Sequence, residues 1–326
     1  MEIKSGDTIG IIALSGDCEK EKIEQAKANI EALGFNVKLS KNIFDKNRYL
    51  AGSDEDKISE LHRFFEDDEI KLILCARGGY GAIRLINKID YNLIKANPKP
   101  FCGFSDVTAL LLMIYKKTGL ITYHSPMACT DFGVNYAEDY PTPQPPPSGV
   151  NIRGGGDCIT QTSVPQPSPA GRGSHSCDKT KKIFFDAISN APLCFEGSKS
   201  FKNGSANGIL WGGNLSTVVS LCGQDFIPDK DFIFFAEDLN EPVYKIDKMF
   251  QQLINIPEFL SKCKSIVLGD FLDVDNEFWL DEYFNEMANR LNIPVVSGFK
   301  ITHADEKITL PVGKKAEIQG LVLKID

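Results

Sequence analysis

An α/β fold built on a mostly parallel sheet follows from three features of this 326-residue chain. Apolar runs of strand length alternate with segments of helical period. The early runs are apolar throughout, as strands covered on both faces are. Glycines and a Ser/Asp pair punctuate the joins. Strand–helix alternation of this kind builds βαβ units. We expect a flavodoxin-like N-terminal domain at residues 1–131, its parallel sheet flanked by helices. A linker or insert at 132–181 and a second α/β domain at 182–326 follow.

Thr8-Ile9-Gly10-Ile11-Ile12-Ala13-Leu14 reads as the first buried strand. From Glu19 to Leu33, residues Ile23, Ala26, Ile30 and Leu33 share one helical face, and Gly34 is the stop. Residues 35–39 alternate as a strand. Ser53, with Asp56 three residues on, opens a second helix carrying Ile58, Leu61 and Phe65. Lys71–Cys75 and Pro100–Phe104 are further strands, and Asp106–Lys117 is a strongly apolar helix.

The middle has a different composition. Eight of the 17 prolines fall between Pro141 and Pro169, beside Gly154-Gly155-Gly156 and Gly171-Arg172-Gly173. Such a stretch buries too little apolar surface to offset its ordering entropy, so a disordered linker or inserted loop is expected. Order returns near Lys182. Strands are expected at Phe232–Ala236 and Ser265–Leu268, helices at Tyr244–Ile254 and Glu277–Leu291, and a closing hairpin from residues 316–318 and 321–323.

Acidic residues outnumber basic ones, 44 to 36, and no basic run occurs, which argues against nucleic acid and anionic membranes as partners. The longest apolar stretch, Ala109–Tyr115, falls far short of the ~20 residues a spanning helix needs. Met1–Asp7 lacks the pattern of a signal peptide, so a cytoplasmic location is expected. The nine cysteines form no C-x-x-C pair, and reduced, mostly buried thiols are expected, Cys75, Cys102 and Cys222 among them. Neither H-E-x-x-H nor a P-loop is present, and no metal site is indicated.

Four features bear on chemistry. Gly103-Phe104-Ser105-Asp106 follows a buried strand and opens a helix, which exposes a serine hydroxyl at a helix N-terminus. Its backbone N–H at Asp106 suits an oxyanion, and a plain N-cap explains the same residues. Arg77-Gly78-Gly79-Tyr80-Gly81 permits close backbone approach and anion binding, or simply a turn of positive φ. Both loops leave the carboxyl edge of one parallel sheet, where such sheets bind ligands. Of the four histidines, His62 lies on a helix surface and His175 in the Pro/Gly-rich stretch, leaving His124 and His303 as candidate bases. Glu237 and Asp238 end an apolar strand, where an acid orients a histidine or caps the next turn.

Together these motifs resemble the L,D-carboxypeptidase family of serine peptidases, which includes muropeptide-trimming enzymes and microcin C immunity peptidases. The resemblance rests on R-G-G-Y-G at 77–81, G-F-S-D-V-T-A-L at 103–110, T-Y-H-S-P-M at 122–127, W-G-G-N-L-S at 211–216, E-D-L-N-E-P-V-Y-K-I-D at 237–247 and T-H-A-D-E-K-I-T-L-P-V-G at 302–313. It implies a triad of Ser105 as nucleophile, Glu237 as acid and His303 as base, with His124 left as a packing or pocket residue. It further implies an oxyanion hole from the backbone of Gly78 or Gly79 with that of Asp106. Arg77 is the candidate for a substrate carboxylate, or else a loop-holding salt bridge, and Tyr80, Trp211 and Asn214 are weaker pocket candidates. The implied reaction removes the terminal D-Ala from a murein tetrapeptide at an L-centre of diaminopimelate, with no metal or organic cofactor. The implied assembly is a homodimer. Two alternatives stand: the same fold acting on microcin C-like peptidyl-nucleotides, and a non-catalytic ligand-binding or FMN-binding α/β module. The family pattern is departed from at Ala13-Leu14-Ser15, where a proline is usual, and over the long stretch from Phe132 to Lys181.

Overall fold

A computed structural model describes residues 3–133 and 173–326. The first sheet is laid down by β1 (Thr8–Ile12), α1 (Lys20–Ala32), β2 (Asn36–Leu39), α2 (Asp54–Glu66), β3 (Ile70–Cys75), α3 (Tyr91–Ala96), β4 (Phe101–Gly103), α4 (Thr108–Thr118) and β5 (Thr122–His124). The chain then runs through α5 (Gly173–Ile188), β6 (Leu193–Glu196), β7 (Lys199–Lys202), β8 (Ser205–Asn214), α6 (Leu215–Ser220), β9 (Phe232–Leu239), α7 (Val243–Ile254), α8 (Pro257–Lys262), β10 (Cys263–Leu272), α9 (Glu277–Leu291), β11 (Val295–Ser297), β12 (Leu310–Val312), β13 (Lys315–Gln319) and β14 (Val322–Ile325), whose strands other than β12 form the second sheet.

Sheet order is β12-β5-β4-β3-β1-β2 in the first sheet and β6-β14-β13-β8-β9-β10-β11-β7 in the second. The pairings from β5 to β2 are parallel, as the unalternating apolar runs predict. Strands β8 to β11 are also parallel, with antiparallel strands on both flanks. The closing hairpin forms as β13 and β14. Ser53 caps α2, its hydroxyl accepting from the Asp56 N–H at 3.1 Å.

Three expectations change. Helix α5 begins at Gly173, so residues 173–181 belong to an ordered helix rather than to a linker, and residues 134–172 lie outside the described residues. Thr180, buried in α5, receives the Lys307 N–H at 3.1 Å, a tertiary contact that a composition-based boundary misses. The two sheets are also not separate in sequence: β12 leaves the C-terminal part and pairs antiparallel with β5 of the first sheet. Among the described residues six cysteines are free, Cys75 and Cys102 among the buried ones, whereas Cys194 is disulfide-bonded, against the expectation of reduced thiols. No helix among the described residues is long and apolar enough to cross a membrane.

Candidate active site

The serine turn is built by backbone. β4 ends at Gly103, residues 105–107 form one turn of 3-10 helix, and α4 follows directly. Ser105 is half-buried and sits at φ +60°, a left-handed conformation that non-glycine side chains adopt at a cost. A strained serine between strand and helix presents its hydroxyl to the space above the sheet. The neighbouring glycine loop touches it: a Cβ on Gly78 would stand 2.8 Å from Ser105 Cβ, 2.9 Å from its Oγ and 3.5 Å from the Asp106 nitrogen. Only glycine fits there. Gly79, at φ +112°, faces Gly16 instead.

The two loops are tied together. The buried Asp106 carboxylate accepts the Ala82 N–H at 2.8 Å, and burial raises its pKa against that hydrogen bond. The Gly78 carbonyl accepts from Gly16 N–H at 3.1 Å. Asp106 therefore has a side-chain role beside the backbone role expected of it.

Glu237 lies on the central strand β9 with no exposed surface. Its Oε2 is 2.6 Å from His303 Nδ1. With the carboxylate accepting from a protonated Nδ1, Nε2 is left free to accept a proton. Burial raises the Glu237 pKa, and the histidine partner opposes the shift. The next residue points the other way, as strand alternation requires. Asp238 accepts from Asn214 Nδ2 at 2.9 Å and from the Ser216 N–H at 2.8 Å, holding the start of α6. Asn214 also caps α6 by accepting from the Thr217 N–H.

His303 packs edge-on against Phe104, the residue before the serine, with ring centroids 4.9 Å apart. Among the described residues no hydrogen bond joins Ser105 to His303, although the Phe104 contact brings their neighbourhoods together. The structure thus gathers Ser105, Glu237, His303, Gly78 and Asp106 at the meeting of the two sheets. The arrangement suits a hydroxyl nucleophile, a carboxylate-oriented base and N–H donors at a helix start.

The other candidates separate. His124, on β5, is buried between Phe104 and Phe235, its Nδ1 without a partner. Burial, with the nearby His303 and Lys307, pushes its pKa down to about 3. That is a packing residue, not a base. Trp211 has no exposed surface and stacks in the second sheet's core with Phe226, Phe232, Phe234 and Phe259, so the structure does not bring it to a pocket. Its aromatic strand neighbours are the signal that the sequence offered for this. Arg77 is half-buried and donates to the Asp17 carbonyl at 3.1 Å; among the described residues it forms no ion pair. Tyr80 is exposed and lies edge-on to Tyr49 at 5.7 Å. His62 is half-buried rather than on the open surface, its Nε2 accepting from Asp90 N–H at 2.9 Å. The side chain of His175 lies outside the described residues. No cluster of metal ligands occurs among the described residues.

Two residues beside the site escaped the sequence reading. Lys307 and Asp131 form an ion pair at 2.6 Å with side chains 6% and 8% exposed. Lys307 lies in the same motif as His303, and its position four residues after the histidine was the available signal.

Known proteins resemble this chain over most of its length. Residues 9–125 match the LD-carboxypeptidase N-terminal domain and residues 207–318 its C-terminal domain. A probable murein peptide carboxypeptidase of Bacillus subtilis is 32% identical over 320 residues, covering 96% of this chain and 89% of that one. The microcin C7 self-immunity protein MccF of Escherichia coli is 27% identical, covering 96% and 90%. Among solved structures, an MccF-like protein from Bacillus anthracis superposes with a TM-score of 0.82 at 26% identity, covering 99% and 98%. On this evidence the chain belongs to the LD-carboxypeptidase family.

Proposed function

We propose that this protein is a serine-type L,D-carboxypeptidase that removes the terminal D-Ala from murein tetrapeptides, at the bond that follows the L-centre of diaminopimelate. The observation that carries the reading is the 2.6 Å Glu237–His303 pair beside a serine held at φ +60°. His303 Nε2 takes the Ser105 proton as Oγ attacks the scissile carbonyl. Glu237 stabilises the imidazolium so formed. The N–H groups of the Gly78–Gly79 stretch and of Asp106 receive the oxyanion, a contribution worth about 10²–10³ in rate per donor. The tetrahedral intermediate collapses as His303 returns the proton to the leaving amine of D-Ala. Water then repeats the sequence on the acyl-enzyme and frees the tripeptide and Ser105.

Arg77 is the proposed partner of the substrate's terminal carboxylate, since its guanidinium pairs with no carboxylate among the described residues. The similarity to a murein peptide carboxypeptidase supports the substrate class. A cytoplasmic location and a homodimer complete the proposal, checked by fractionation and light scattering.

The test is mass spectrometry of a purified murein tetrapeptide incubated with the protein and with Ser105→Ala. Loss of one alanine with the wild type alone is expected. Equal loss with both proteins sinks Ser105 as nucleophile. Cleavage confined to a peptidyl-nucleotide would instead favour the microcin C-like alternative.

A further inference from the structure

The proposed nucleophile and base stand on different parts of the chain, Ser105 after β4 and His303 in the loop before β12. Something must hold that loop in register with the serine turn to within about an ångström, because small misplacements cost about a hundredfold in rate. Backbone pairing of β12 with β5 begins only at Leu310, seven residues beyond the histidine.

Lys307 lies between them. Its Nζ is 2.6 Å from Asp131 Oδ1 and 4.3 Å from the centroid of Phe104. Phe104 precedes the nucleophile, and on another side it meets the His303 ring. Asp131 is itself fixed: its other oxygen accepts the Met127 N–H at 2.8 Å and the Thr130 hydroxyl at 2.6 Å. The turn that carries it, Ala128–Phe132, is anchored by the Cys129 N–H on the carbonyl of Ala76, the residue before the Arg77–Gly81 loop. One ammonium thus joins the base loop, the ring beside the serine and the turn that adjoins the glycine loop.

A buried ion pair is an expensive way to hold a fold together. Its desolvation cost rivals its attraction, and an apolar pair of similar size often stabilises as well. What a charged, hydrogen-bonded pair adds is direction. We propose that Lys307, through Asp131 and the face of Phe104, is a positioning residue that sets the alignment of His303 with Ser105. This rests on the triad reading given above.

The test compares Asp131→Asn, Lys307→Met and the double variant with the wild type and Ser105→Ala. Each is treated with a fluorophosphonate probe, and Ser105 modification is followed by intact-protein mass, with thermal melts and tetrapeptide kinetics alongside. The singles remove one charge of a buried pair and not the other, and are expected to lose stability. The double variant removes both charges of the pair and keeps one hydrogen-bond acceptor at position 131. It is expected to melt near the wild type and yet to label at least about tenfold more slowly, with kcat lowered in step and KM within about twofold. A double variant that recovers both stability and wild-type labelling overturns the proposal, and so does a folded Asp131→Asn that labels at the wild-type rate. A wild type that labels no faster than Ser105→Ala instead removes the triad reading, and this inference with it.

Discussion

Around Ser105 the backbone does the positioning, and around His303 side chains do. The serine owes its place to a left-handed φ, to a glycine pressed against its Cβ and to the Gly16 N–H on the Gly78 carbonyl that holds that glycine, all within one sheet's carboxyl edge. The histidine sits in a loop whose fixed points include a carboxylate from β9, an aromatic edge from Phe104, the Lys307–Asp131 pair and the Thr180 hydroxyl of α5. Backbone placement is stiff and intolerant of added atoms. Side-chain placement is adjustable, and each contact has a partner that substitution leaves unsatisfied. The two regions should therefore fail differently when altered.

The largest effect is expected from removing the proposed base. His303→Ala should lower kcat by about 10⁴–10⁶, and combining it with Ser105→Ala should cost nothing further, since the two act as a unit. Glu237→Gln should leave the ring in place with the wrong tautomer, at a cost of about 10⁴. Tetrapeptide kinetics check all three, and additive losses would break the unit.

Gly78→Ala attacks the stiff region. Its Cβ would stand 2.8 Å from Ser105 Cβ, so the serine turn or the glycine loop must shift. A loss of about 10² in probe labelling is expected, with the Glu237–His303 pair intact by the His303 imidazole NMR signal. Unchanged labelling would mean that the loop yields and that backbone stiffness is not what places the serine.

The smallest effect separates the two histidines by pH. His124 is held near pKa 3 against an ordinary 6.5, so the unfolded chain binds a proton there that the folded one refuses. Its contribution to stability is therefore lost as pH falls from about 6.5 toward 3, by up to about 1.4 kcal/mol per pH unit. His124→Gln should flatten the acid limb of a denaturation series run from pH 8 to 4.5, while the pH profile of turnover keeps its shape. Parallel stability curves for the two proteins would contradict this.

Much of this was legible in the chain. The unalternating runs at 8–14, 71–75 and 232–236 fix buried parallel strands because they leave no polar face for water. The Gly-Phe-Ser-Asp turn after such a strand carries its own geometry. Period-two alternation separates Glu237 from Asp238 once the strand is known to continue through both residues, but nothing local says which carboxylate faces a histidine 66 residues away. The Trp-Gly-Gly-Asn motif misled in the same way, since burial of Trp211 depends on four phenylalanines brought together from β9, from α8 and from the segment before β9.

By itself, then, the sequence determined the alternating fold, the serine turn and the residue types of the triad, because these depend on local periodicity, on glycine's missing Cβ and on a few spaced motifs. Only the tertiary structure decided which histidine is dry and which is paired, which aromatic is core, and that Lys307 meets Asp131 beside Phe104. Those outcomes depend on partners far apart in the chain. Burial and charge pairing are properties of the assembled surroundings, and no short stretch of sequence contains them.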